Sequence, residues 1–125
     1  MLKPLPFEGT VKVINKGVDA ALVIGKAEEE AALQAAKICG VCGISTAVLQ
    51  IPESAPADRE TFRYYSGLAG VFVFADKSLY ERCRSLLSDD DRVQVAGAKD
   101  EKSFAKAVWE IHDAVIQQEK EKIKK

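Results

Sequence analysis

The chain has 125 residues, enough for one domain whose core needs no disulfide or metal staple. Hydrophobic residues make up 47% and charged residues 30%, which excludes a disordered chain and fits a soluble globular one. Eighteen basic against nineteen acidic residues give a net charge of −1, so the basic footprint of a nucleic-acid binder is missing.

No apolar run approaches the roughly 18 residues of a membrane span. The opening MLKPLPFEGT lacks the apolar core of a signal peptide and carries two prolines and an early glutamate. Three cysteines are an odd number without the paired spacing of a secreted scaffold, so reducing cytoplasm is the expected compartment.

Residues 1–9 read as an extended lead-in, because Pro4 and Pro6 disfavour helix. TVKVI, from Thr10 to Ile14, alternates as a half-exposed strand, and DAALVIG, from Asp19 to Gly25, is apolar enough to be buried on both faces. The link between them is too short for a parallel crossover, so a hairpin is expected, or a first strand that bends away at the edge. A helix follows from Ala27, with Glu28, Glu29 and Glu30 at its positive pole. Ala31, Ala35 and Ile38 form its apolar stripe, and Gly40 is its expected stop.

STAVLQI is the third strand, ending at Pro52. A second helix is expected from about Asp58, a candidate N-cap, to Leu68, with Phe62, Tyr65 and Ala69 on one face. GVFVFA, from Gly70 to Ala75, is the clearest strand. Asp76 and Ser78 open a helix with Leu79, Cys83, Leu86 and Leu87 as its inner stripe. SDDD makes a turn, RVQVAG a fifth strand, and a long helix starts near Asp100 with Phe104, Val108, Ile111 and Val115 facing inward. Strand and helix alternate from Asp19 onward, which predicts a three-layer α/β/α domain over residues 1–125. Its mainly parallel sheet of about five strands has a flavodoxin- or Rossmann-like outline. That outline carries no function.

The sharpest chemical feature is KICGVCGIS, with Cys39 and Cys42 in C-x-x-C spacing. A redox pair works with its first cysteine at a helix N-terminus, where the dipole stabilises thiolate. Cys39 sits instead at a C-terminal end, on the apolar face, so it reads as a small buried hydrophobe. Cys42 is the more accessible thiol. A four-ligand metal centre would have to recruit Cys83 and His112, both on core-facing stripes. No metal site is therefore expected.

Open α/β sheets place ligands at the carboxyl ends of their strands. The residues offered there are Gly25 and Lys26, Glu53 and Ser54, Asp76, Lys77 and Ser78, then Gly97, Lys99 and Asp100. Lys26, Ser54, Asp76, Lys77, Ser78 and Lys99 are the candidate ligand residues, for a small polar or anionic molecule. VIGKAEEE is not a P-loop, because the upstream glycine and the following Ser or Thr are missing. Asp89, Asp90 and Asp91 crowd one turn and converge poorly on a cation. Arg59, Arg63 and Tyr64 form the polar side of the second helix, a binding face or a solvated one.

The last helix is long enough for residues 117–125, a charged tail, to project beyond the sheet. Ile116 and Ile123, seven apart, continue an apolar position that suits docking or oligomerisation. The leading expectation is thus a non-catalytic ligand- or partner-binding module, a regulatory, sensory or accessory subunit without nucleic acid or membrane. The alternatives are a thiol-redox or metal protein using Cys39 and Cys42, and an enzyme acting on an anionic metabolite through Lys26, Asp76 and Lys99.

Overall fold

A computed structural model describes residues 11–52, 59–68 and 70–123, with side chains described as far as Gln117. The strands are β1 (Lys12–Asn15), β2 (Ala20–Ile24), β3 (Thr46–Gln50), β4 (Val71–Phe74) and β5 (Arg92–Val95). The helices are α1 (Glu29–Val41), α2 (Arg59–Leu68), α3 (Lys77–Cys83) and α4 (Glu101–Ile123). Short 3-10 turns lead into α1 at Lys26–Glu28 and out of α3 at Arg84–Leu86.

The sheet order is β1-β3-β2-β4-β5. Four strands are parallel, and β1 runs antiparallel to β3 at the edge. Central β2 and β4 are buried along their whole length, as apolar runs covered on both faces must be. Alternation divides β4 between two layers. Phe72 stacks on Phe62 of α2 with centroids 5.6 Å apart, and Phe74 meets Tyr80 of α3 edge-on at 5.5 Å. On the opposite face α1 and α4 pack against each other and against the sheet, burying Ala32, Ala35, Cys39, Phe104 and Val108. The architecture is α/β with a five-stranded, mostly parallel sheet.

The expected β1–β2 hairpin does not form. The chain leaves edge strand β1, passes the start of β3 and enters the sheet centre as β2. Gly17 makes that passage possible, since a Cβ there would collide with the Ala47 nitrogen and the Thr46 carbonyl carbon. The crossing is pinned on both sides: Asp19 N–H donates to the Ser45 carbonyl at 2.8 Å, and Ser45 N–H donates to Asp19 Oδ2 at 2.8 Å. Of the two expectations for the first strand, the edge position is the one observed.

Two details of α1 also differ. Its buried face is Ala32, Ala35, Ala36 and Cys39, while Ile38 is 41% exposed. Gly40 lies inside the helix, and the stop is three residues later. There Gly43 takes φ +86°, Gly43 N–H donates to the Gly40 carbonyl at 3.0 Å, and Ile44 N–H donates to the Cys39 carbonyl at 2.9 Å. Those two bonds are a Schellman closure, which needs a left-handed residue where Gly43 stands. KICGVCGIS is a helix terminus built from its second glycine. Thr10, the Asp58 cap and Ala69 lie outside the described residues.

Candidate functional site

The crossovers that leave β2 and β4 run to opposite sides of the sheet, so the ends of these two neighbours form the switch point where such folds open a crevice. The loop after β2 brings Gly25 and Lys26, the loop after β4 brings Asp76, Lys77 and Ser78, and the loop after β5 brings Lys99.

Asp76 and Lys99 are drawn together, with Lys99 Nζ 2.9 Å from Asp76 Oδ2. The other carboxylate oxygen of Asp76 accepts from Leu79 N–H at 2.8 Å and so caps α3. The Lys99 hydrogen bond, then the Leu79 amide, hold the Asp76 carboxyl below its ordinary range. Lys99 is raised in turn, first by its bond to Asp76 and further by the charge of Glu28. Glu28 itself is only 8% exposed, folded into the 3-10 turn before α1. The charges of Asp76 and Lys99 are thus satisfied by each other. Lys26, Lys77 and Ser78 are exposed, and Ser54 lies outside the described residues.

The three thiols are free. Cys39 is buried in α1, with its Sγ 3.9 Å from the Ala105 carbonyl of α4, and burial pushes its pKa up. Cys83 is buried in α3, in the layer of Phe74 and Tyr80, and burial pushes it up to about 11. The sheet separates these two, so Cys83 is not a third ligand to the C-x-x-C pair. Cys42 is exposed at the helix end. Among the described residues no group of three His, Cys, Asp or Glu side chains could hold a metal ion. No helix of the described residues is long and apolar enough to cross a membrane.

Cys42 opens onto a different feature. Between the end of α1 and the middle of α4 lies an apolar groove of about 310 Å³, lined by Ile38, Cys39, Cys42, Ile44, Ala105 and Trp109, with Lys106 at its rim. Two of its lining side chains are unusually bare for their type: Trp109 is 53% exposed and Ile38 41%. Exposed aromatic and branched residues clustered beside a groove mark an interaction surface more often than isolated ones do. Trp109 follows Val108, a member of the inner stripe of α4. A helical angle of 100° per residue sets it about 100° from Val108, on the outer side, a signal already present in the spacing.

No protein-family model matches the chain, and no curated protein matches it either. Solved structures with a similar fold exist. A split-gene transketolase, solved as an inactive beta4 tetramer, superposes with a TM-score of 0.70 and 21% identity over 86% of this chain and 43% of that one. The 2-oxoglutarate:ferredoxin oxidoreductase from Magnetococcus marinus, solved with 2-oxoglutarate, coenzyme A and succinyl-CoA bound, gives 0.62 and 10% over 86% of this chain and 20% of that one. The chain spans less than half the length of either. At these identities the likeness is one of fold: a mostly parallel α/β sheet that recurs within much larger enzyme chains.

Proposed function

We propose that this chain is a non-catalytic α/β accessory module that works by association, and that the surface it uses is the α1/α4 face, docked on a second copy of itself. The observation that carries the reading is a stripe along α4. Lys102, Lys106, Trp109, Asp113 and Ile116 recur at alternating steps of four and three, the spacing of a helix–helix seam. Lys102, Lys106, Trp109 and Ile116 are exposed and Asp113 is half-buried, so the seam is left uncovered among the described residues.

The order of charge along the stripe selects the occupant. Cations lie on the N-terminal side of Trp109 and the carboxylate of Asp113 on the C-terminal side. Two α4 helices packed antiparallel about a two-fold axis at Trp109 bring Lys106 of each copy opposite Asp113 of the other. A two-fold interface must be complementary to itself in this way. The indole is a strong anchor, and the groove beside it can receive its counterpart. That a structural neighbour was solved as a tetramer supports association for this fold.

At the switch point the same reading gives Asp76 and Lys99 a structural task, tying the start of α3 to the loop before α4. The test is the oligomeric state of the wild type against Trp109→Asp and against charge reversals at Lys106 and Asp113. A reversal at either position alone should weaken association. Both together should restore it.

A further inference from the structure

The arginines of α2 are engaged in nothing described so far. Thr61, Phe62 and Tyr65 turn inward, which leaves Arg59 and Arg63, one helical turn apart, exposed on the other side. With Ser85, Leu86, Leu87 and Ser88 they line a cavity of about 160 Å³ between α2 and the segment that follows α3. The cavity is mainly polar, unlike the groove beside Trp109.

Among the described residues neither guanidinium is held by a carboxylate. Asp91, which follows this segment, has one carboxylate oxygen already engaged. Its Oδ2 accepts from Ser66 Oγ at 2.8 Å and from Ser88 N–H at 2.7 Å, which fixes Ser88 against the rim. Asp89 and Asp90 of the same turn are exposed and line no part of the cavity.

We propose that this cavity is an anion site for a phosphoryl group, with Arg59 and Arg63 as its charged donors and the Ser85 and Ser88 hydroxyls as its neutral ones. Guanidinium groups present rigid paired N–H donors that match the oxygens of phosphate, and two of them one turn apart can grip a dianion from two directions. The space is several times what one water needs and is enough for a phosphoryl group. A ligand with a larger remainder would leave that part outside the cavity. The site lies on the α2/α3 side of the sheet, away from the α4 stripe, and does not depend on self-association.

The experiment is calorimetric titration of the intact protein with inorganic phosphate and, separately, with a small sugar phosphate. It compares wild type, Arg59→Gln, Arg63→Gln and the double variant, with Arg84→Gln as a surface control. Each single change should weaken binding by about tenfold or more, the scale of a lost charged hydrogen bond, and Arg84→Gln should not. Equal affinity for the two probes assigns the site to the phosphoryl group alone, and tighter sugar phosphate assigns it to a phosphorylated metabolite. Absence of binding to both probes overturns the proposal, as does binding that survives in the double variant. The arginines are exposed, so circular dichroism of the variants should match the wild type.

Discussion

Lys99 Nζ and Asp76 Oδ2 meet at 2.9 Å, linking the loop after β5 to the first turn of α3 across the carboxyl edge of the sheet. The pair combines an ion pair with a helix cap, since Asp76 also accepts from Leu79 N–H. The two contributions differ in size. A cap is worth about 1 kcal/mol, whereas an exposed ion pair contributes less because solvent screens it. Asp76→Ala should therefore lower unfolding stability in urea by about 1 kcal/mol, and Lys99→Met by less than Asp76→Ala.

The same pair sets a pH dependence. The Asp76 carboxyl is depressed, first by Lys99 and then by the Leu79 amide, so its stabilisation is fully present above the unfolded carboxyl pKa of about 3.9. It is lost as pH falls through the lower folded value. Urea unfolding of wild type and Asp76→Asn at a series of pH values should give a constant gap from neutral pH down to about pH 5, closing in more acid solution.

Thiol chemistry should single out one cysteine. Cys39 and Cys83 are buried with raised pKa values, the latter about 11, and only Cys42 is exposed. A chromogenic disulfide at pH 8 should titrate one thiol quickly in the native protein and all three in denaturant. Cys42→Ser should abolish the fast phase. A fast phase of two thiols would mean that the α1 terminus opens in solution.

Gly17 is expected to tolerate nothing larger. A Cβ there meets the backbone of Thr46 and Ala47, which cannot yield without moving β3. Gly17→Ala should cost on the order of 3 kcal/mol, the scale of a steric clash in a packed interior, read by thermal or urea unfolding. Gly40→Ala, with open space at its Cβ inside α1, should be neutral or mildly stabilising.

How far the fold was legible follows from which features are local. Apolar runs such as AALVI and VFVF declared themselves as central strands, and alternation of strand with helix gave the layers. The partner of β1 could not be read the same way. It depends on a crossing at Gly17 that leaves no trace in hydropathy. Composition points to Gly40 as the stop of α1, and only the hydrogen bonds to the Cys39 and Gly40 carbonyls move it to Gly43. At the strand ends, Asp76 and Lys99 were both singled out. Their mutual pairing required the spatial order β2-β4-β5, which a linear pattern does not contain. Trp109 adjoins Val108 of the inner stripe, and helical geometry turns it outward, where it is exposed.

The central claim is association through α4, and sedimentation equilibrium across a range of protein concentrations tests it most directly. The wild type should be a reversible dimer, and Trp109→Asp should weaken it by about thirtyfold or more, the scale of a lost interface anchor, with unchanged circular dichroism. Lys106→Asp should weaken it too, and Lys106→Asp with Asp113→Lys should recover it. A wild type that sediments as a monomer at every concentration, or a dimer indifferent to Trp109→Asp, would contradict the account.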